Sequence, residues 1–180
     1  VELADYPRRQ AYLEQHQELI RNLHIAPNNP KAWYRTIDRK NPRLTTQPEL
    51  LIPDIKGEAH IVYDSGQFYP HHNLYYITSE HWPLKLLQVI LNLGIAYLFV
   101  STYSVRMRGG YLRFQAQYLR RIRIPAWQTI PPQLQTELLN ALEQGDKQTY
   151  TDRIYQLYAL STAEQQLLAS YGADPACHST

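Results

Sequence analysis

The spacing of apolar residues predicts an amphipathic helix near the start of the chain. Over residues 6–23, Tyr12 and Leu19 belong to one apolar stripe at helical spacing. Pro7 suits the first turn of such a helix, where a missing N–H leaves no hydrogen bond unmade. We expect residues 1–30 to form a connector helix from an upstream domain outside this chain.

Four short runs rich in β-branched and aromatic residues predict strands between Ala32 and Thr78. The runs are Trp33 to Ile37, Leu50 to Ile55, Ala59 to Tyr63 and Asn73 to Thr78. The turn residues Asp64-Ser65-Gly66 predict a hairpin between Tyr63 and Phe68. A small mixed β-sheet is therefore expected here.

Residues 84–100 contain thirteen apolar residues among seventeen, which predicts two helices that are buried on all sides. Gly94 is expected to end the first helix, so that a second begins at Ile95. A membrane span is the less favoured alternative, because spanning needs about 20 apolar residues and this run includes Lys85 and Asn92.

The remainder of the chain predicts a C-terminal helical tail over residues 131–180. One apolar stripe, which includes Leu134 and Leu138, ends at Gly145. The run from Ser161 to Glu164 is a capping box that opens a last short helix. The expected fold class is α+β: the small mixed sheet, two buried core helices, the N-terminal connector helix and the helical tail.

The composition fits a folded domain, since 44% of the 180 residues are hydrophobic and 19% are charged. The lone cysteine, Cys177, excludes an internal disulfide framework and fits a cytoplasmic location. The chain begins at Val1 without a cationic, apolar leader, so we expect a fragment of a longer protein with no secretory signal.

Motifs for catalysis are missing from the sequence. Gly109-Gly110 is too little for a phosphate-binding loop, and no nucleophile motif surrounds a serine or cysteine. His71, His72 and His81 lack the spacing of a metal site. We expect no catalytic residue, metal or cofactor in this chain, and a self-contained enzyme is the least supported interpretation.

The positive charge is concentrated in two clusters, although the net charge is only +2. Six arginines and no acidic residue lie between Arg106 and Arg123, and a second cluster runs from Lys31 to Arg43. Such clusters favour binding of a polyanion on a defined surface. The alternative is that the arginines are simply solvated on a helix or hairpin surface.

Residues 103–125 interleave basic, aromatic and amide side chains around the glycine pair. Arginine contacts guanine bidentately in the major groove, and glutamine does the same for adenine. Arginine also binds phosphates, while glycine allows close approach of the backbone. This pattern predicts a DNA-contacting loop.

Four stretches in this order resemble one known family. They are Trp33 to Arg39, Leu51-Ile52-Pro53-Asp54-Ile55, His71-His72-Asn73-Leu74-Tyr75-Tyr76-Ile77, and Arg106 to Pro125 with its ending Ile122-Arg123-Ile124-Pro125. The chain resembles the C-terminal specificity (target-recognition) domain of gamma-class adenine-specific DNA methyltransferases of restriction–modification systems, the TaqI-like group. The likeness spans about Ala32 to Trp127.

The resemblance implies a division of work within a longer polypeptide. An absent N-terminal domain would bind S-adenosylmethionine and methylate the exocyclic amine of a flipped adenine, since a stacked adenine is out of reach. Residues 31–130 would be the target-recognition domain. The expected partners are double-stranded DNA and the upstream methyltransferase domain, with no membrane.

The candidate DNA-binding residues fall into four groups. Those expected nearest the base edges are Arg106, Arg108, Gly109, Gly110, Tyr111, Arg113 and Gln115. Those expected to hold phosphates or brace the fold are Arg120, Arg121 and Arg123. A second wall of the cleft is expected from Lys31, Tyr34, Arg35, Arg39, Lys40 and Arg43. His71, His72 and Asn73 precede a strand, where a DNA contact and a packed or solvated role are equally compatible with the sequence.

Three other functions remain open. The same domain would serve in a fused restriction endonuclease–methyltransferase or in a separate specificity subunit. A different class is a protein-interaction module, because the fifteen tyrosines suit a protein partner as well as DNA.

Overall fold

The structure, a computed structural model, describes residues 3–22, 33–34, 41–57 and 59–171. The chain divides into two units, Val1–Asn41 and Pro42–Thr180. The domain boundaries that the sequence predicts after residues 30 and 130 stay predictions.

The N-terminal unit contains two helices where the sequence predicts one. A 3-10 turn, Leu3–Asp5, precedes α1 (Pro7–Gln15) and α2 (Gln17–Arg21). The expectation of a single helix was wrong because the chain leaves helical geometry at His16, whose N–H bonds to the carbonyl of Leu13 at 3.2 Å. That i to i−3 bond tightens the last turn of α1 and ends it.

The first predicted strand, Trp33 to Ile37, lies mostly outside the described residues. Trp33 and Tyr34 form part of a turn in the N-terminal unit. The Arg21 guanidinium lies over the Trp33 ring, 5.6 Å from its centroid.

The main sheet of the C-terminal unit is centred on one strand. Its strands are β1 (Glu49–Pro53), β3 (Val62–Asp64) and β4 (Leu74–Ile77), in the order β3-β1-β4. A smaller sheet joins β2 (Ile55–Lys56) to β5 (Leu112–Arg113).

All described strand pairings are antiparallel, so the expectation of a mixed sheet was wrong in this detail. The connections within the main sheet are short turns and loops, whereas a parallel pair needs a crossover of about a dozen residues or more.

The predicted hairpin after Tyr63 does not form, although its turn does. The Asp64 carboxylate accepts hydrogen bonds from the backbone N–H groups of Gly66, Gln67 and Phe68 at 3.1, 3.1 and 3.2 Å. These N–H groups are therefore not available to a returning strand, and β3 pairs with β1 instead.

The two core helices are confirmed. α3 (Leu84–Ile90) and α4 (Ala96–Tyr103) are joined by a π-helical turn, Leu91–Ile95, in which Gly94 has a φ of 105°. By length and composition Leu84–Tyr103 could cross a membrane, yet half of its apolar window is buried inside the protein. We interpret it as a kinked core segment.

These helices separate two apolar clusters. On one side Leu87 and Leu91 pack with Leu50 and Ile52 of β1. On the other side Leu86 and Ile90 pack with the C-terminal helices through a set of buried side chains. That set is Ile130, Leu134, Leu138, Ile154 and Leu168.

The C-terminal helices follow the sequence signals closely. They are α6 (Pro132–Gln144), α7 (Lys147–Leu157) and α8 (Thr162–Ala169). Gly145 ends α6 in the left-handed conformation, with a φ of 68°. Ser161 and Glu164 form the predicted capping box. These features agree with the α+β class.

Glu49 is a buried carboxyl group in the main sheet. Its side chain is fully buried, and it lies opposite Asp64 in the β1–β3 register. Neither carboxylate oxygen has a hydrogen-bond partner among the described residues. Burial, and secondarily the charge of Asp64, raises the pKa of Glu49 above its ordinary value of 4.5.

Replacing Glu49 with methionine is expected to stabilise the domain at neutral pH. Because its pKa is raised on folding, the native state loses stability as the pH rises from 4.5 through the raised value. An apolar side chain of similar size removes that slope and an unsatisfied buried group, whose burial costs about 1–3 kcal/mol. Urea unfolding at several pH values measures the free energy of unfolding of the variant. Glu143→Gln is the control, because Glu143 lies exposed on α6. A less stable Glu49→Met variant at pH 7 would contradict it.

Candidate nucleic-acid interface

The glycine pair forms the turn of a hairpin-shaped loop that follows α4 and is closed by one backbone hydrogen bond. Ser104 is extended, and the N–H of Met107 bonds to the carbonyl of Tyr111 at 2.8 Å. Between them Gly109 and Gly110 have φ values of 91° and 84°, a region that L side chains rarely adopt. We call residues 104–113 the basic hairpin.

The outer part of the basic hairpin is exposed. Arg106 and Arg108 are exposed, and neither has an ion pair within the part of the chain that the structure describes. Val105 and Tyr111 are 84% and 50% exposed. These exposed guanidinium groups beside apolar and aromatic surface suit an anionic, aromatic ligand.

Arg113 lies at the inner end of the basic hairpin and is held by Asp54. Its Nη2 donates to Oδ2 of Asp54 at 2.6 Å. This hydrogen bond, together with the charge of Asp54, raises the pKa of Arg113 above its ordinary value. Arg113 is therefore held by an ion pair, whereas Arg106 and Arg108 have none among the described residues.

Asp54 also joins the basic hairpin to the turn at His71–Asn73. Its N–H donates to the carbonyl of Asn73 at 3.1 Å, and its carbonyl accepts from the N–H of Phe114 at 2.7 Å. The structure thus brings together, at the end of β1, two of the predicted groups of DNA-binding residues, the basic hairpin and His71–Asn73. Asp54 was not among the predicted site residues, although it lies within the strand-like run Leu50 to Ile55 and in one of the four stretches that carry the family resemblance.

The turn before β4 is exposed. The rings of His71 and His72 lie 4.0 Å apart, and Asn73 is exposed beside them. The carbonyl of His71 accepts from the N–H of Leu74 at 2.8 Å, which fixes the turn to the start of the strand. Among the described residues no group of three or more His, Cys, Asp or Glu is arranged for a metal ion.

The arginines after α5 (Ala116–Leu119) form a separate basic surface. Arg120, Arg121 and Arg123 contribute to the wall of an open cavity of about 590 Å³, together with Tyr103 of α4. The Arg121 guanidinium lies over the Tyr103 ring, 4.7 Å from its centroid.

The backbone of this arginine segment is anchored to the C-terminal helices. The hydroxyl of Tyr158 donates to the carbonyl of Arg123 at 3.3 Å, and burial raises the pKa of Tyr158 to about 12. Gln115, which precedes α5, is half-buried and accepts a hydrogen bond from Gln117 at 2.8 Å.

Most of the second predicted wall lies outside the described residues. Lys31, Arg35, Arg39 and Lys40 belong to that part of the chain. Tyr34 lies in the N-terminal unit, and Arg43 lies in the 3-10 turn Pro42–Thr45 of the C-terminal unit.

A larger open cavity, of about 1180 Å³, shares no residue with the basic hairpin or the arginine segment. Its lining includes Glu80 and Glu143 as well as Lys85 and His81. Mixed charge makes it a poorer candidate for a polyanion.

Comparison with known proteins shows the family of the chain. The TaqI-like C-terminal specificity domain family matches residues 6–124. Similar curated proteins include the type II methyltransferases M.XhoI of Xanthomonas vasicola and M.PaeR7I of Pseudomonas aeruginosa. M.XhoI is 54% identical over 170 residues, which are 94% of this chain and 31% of the relative. M.PaeR7I is 51% identical over 172 residues, which are 96% of this chain and 30% of the relative.

A third relative is the type II methyltransferase M.BstVI of Geobacillus stearothermophilus. It is 43% identical over 169 residues, which are 93% of this chain and 30% of the relative. The chain therefore spans about a third of the length of these relatives. Because the family match covers most of the chain, the chain belongs to the TaqI-like C-terminal specificity domain family.

Proposed function

We propose that this chain recognises a DNA sequence on behalf of an adenine-specific DNA methyltransferase of a restriction–modification system. The observation that carries the proposal is the junction at Asp54, where the exposed turn His71–Asn73 meets the basic hairpin. A rigid junction that presents cations and amides can hold the same register on a duplex each time it binds.

The proposed roles differ between the two basic surfaces. Arg106, Arg108 and Arg113 contact base edges, with Tyr111 and Gln115 beside them. Arg120, Arg121 and Arg123 bind phosphates around the cavity that they share with Tyr103. Phosphate contacts set affinity and register, whereas base contacts set sequence preference.

The methyl transfer itself is proposed for the rest of the parent polypeptide, with S-adenosylmethionine as the donor. The similar proteins are named as methyltransferases and extend well beyond the matched region. The glycine pair here does not fit that cofactor, because it lies in a hairpin turn and not between a strand and a helix. The upstream domain and double-stranded DNA are the proposed partners, in the bacterial cytoplasm.

A protein-interaction module is the second candidate, favoured by the exposed apolar side chains of Val105 and Met107. A fused endonuclease or a separate specificity subunit would use the proposed DNA surface in the same way. Salt dependence separates DNA binding from apolar protein contact, because only the former releases many counterions.

We expect binding of the full chain to a labelled DNA duplex to weaken steeply with salt. For six or more phosphate contacts the affinity falls by about 1,000-fold or more between roughly 50 and 200 mM salt. Replacing Arg120, Arg121 and Arg123 together by alanine should flatten the slope of log K against log salt by about three units, near one unit for each contact. Lys147→Ala, at the exposed start of α7, is the matched control. Binding that does not respond to salt would favour the protein-interaction module.

A further inference from the structure

We propose that Asp54 is a positioning residue that orients Arg113 toward one base pair of the target, so that the pair fixes the preference at that position. This inference rests on the proposed function and deepens it. It assigns a role to an acidic side chain within a basic surface, where a carboxylate would otherwise only repel DNA.

Asp54 is held in place by hydrogen bonds at three points. Its N–H, its carbonyl and its carboxylate each make one hydrogen bond, to Asn73, Phe114 and Arg113 respectively. Asn73 precedes β4, whereas Arg113 and Phe114 are consecutive residues at β5, so two separate segments of the chain set the position of Asp54. A carboxylate placed in this way holds its partner in one direction.

Part of the Arg113 guanidinium remains available to a ligand. Nε is buried without a partner among the described residues, and one hydrogen of Nη2 is used by Asp54. The donors that remain belong to the two terminal nitrogens, and the side chain is 44% exposed. Two terminal N–H donors side by side are what a bidentate contact to guanine O6 and N7 requires.

The ion pair between Asp54 and Arg113 is poorly arranged as a purely structural brace. Oδ1 of Asp54 and Nε of Arg113 are both buried and lack partners among the described residues. A brace selected for stability alone would use both atoms in a fork-like pair. The single contact leaves a buried acceptor and a buried donor without partners among the described residues, so the pair is not the bidentate fork of a strong brace.

The backbone below Arg113 adds to the orientation. Arg113 pairs with Ile55 in the β2–β5 register, and its neighbours Leu112 and Phe114 are 0% and 1% exposed. Arg106 and Arg108, by contrast, lie on the exposed outer part of the hairpin. A fixed arginine loses less conformational freedom on binding and distinguishes bases better than a mobile one.

The test is a binding selection on a randomised duplex pool with the full chain and its variants. We expect Asp54→Ala and Arg113→Ala to relax the preference at the same single base pair, by about 5- to 150-fold. The double variant should relax it no further than Arg113→Ala alone. The slope of log K against log salt should be the same for Asp54→Ala as for the wild-type chain, because Asp54 contacts no phosphate.

Asp54→Asn provides a variant that keeps the size of the side chain and a hydrogen-bond acceptor. We expect it to fold, as followed by thermal unfolding, and to show an intermediate loss of preference at that base pair. It keeps the inference testable if Asp54→Ala does not fold.

Two results would overturn the inference while the wild-type chain still selects a motif. One is that the Asp54 variants weaken binding to all sequences alike; the other is that Asp54 and Arg113 variants relax different positions. If the wild-type chain selects no motif, the proposed function itself fails.

Discussion

Replacing Arg106 and Arg108 together by alanine is expected to remove most of the sequence preference of the chain. Both guanidinium groups are exposed on the basic hairpin without an ion pair among the described residues. A bidentate arginine contact to a base contributes about 1–3 kcal/mol of discrimination. Losing two independent contacts should therefore lower affinity for the preferred duplex by about 25-fold or more. Fluorescence anisotropy with preferred and scrambled duplexes measures both affinities.

Lysine replacements separate charge from geometry at the same two positions. Arg106→Lys with Arg108→Lys keeps both charges but loses the planar fork that matches a base edge. We expect this pair to retain the salt dependence and still lose sequence preference. If the alanine pair bound the preferred duplex as selectively as the wild-type chain, these arginines would not contact bases.

The second large effect is expected from Leu138→Ala in α6. Leu138 is fully buried and packs with Leu86 and Ile90 of α3 and with Ile154 of α7. Deleting a buried leucine side chain costs about 2–5 kcal/mol, because it loses apolar burial and leaves a cavity. Urea unfolding should show this loss, while the DNA sequence selected by the folded variant stays the same.

Leu167→Ala is the matched control, since the Leu167 side chain on α8 is 46% exposed. We expect a change within about 0.5 kcal/mol, as for ordinary surface substitutions. Equal losses in the two variants would mean that Leu138 is not buried in the core cluster that it shares with Leu86 and Ile90.

Local signals predicted the helices of the C-terminal unit well. Gly145 and the pair Ser161 and Glu164 act within one or two turns, so their effect is visible in the sequence itself. Gly94 likewise marked the kink between α3 and α4. Prediction failed where a side chain competed with the backbone, as Asp64 does in the turn where a hairpin was expected.

The candidate site was predictable in its residue types but not in its arrangement. The arginines and the glycine pair of the basic hairpin stand out in the sequence because they lie within a few residues of one another. The contact between Asp54 and Arg113 joins residues 59 positions apart, so no local pattern reveals it. That contact also distinguishes Arg113 from Arg106 and Arg108, although the three arginines look equivalent in the sequence.

The arginine segment and the basic hairpin, with Arg113 held by Asp54, indicate how one domain combines affinity for DNA with selectivity for a sequence. The arginine segment from Arg120 to Arg123 offers charge next to an aromatic wall. At the junction, Asp54 holds the hydrogen-bond donors of Arg113 in one direction. The outer part of the basic hairpin presents the donors of Arg106 and Arg108 without such a restraint among the described residues. In the proposed function, the arginine segment binds phosphates, while the basic hairpin contacts base edges.

Recognition of a DNA sequence by this chain can be measured by selecting binders from a randomised duplex pool at low and at moderate salt and sequencing the DNA that the chain retains. We expect enrichment of a short motif that contains adenine, with retention that falls steeply as salt rises. Absence of binding at low salt would rule out DNA recognition by this chain and favour a protein partner for the same surface.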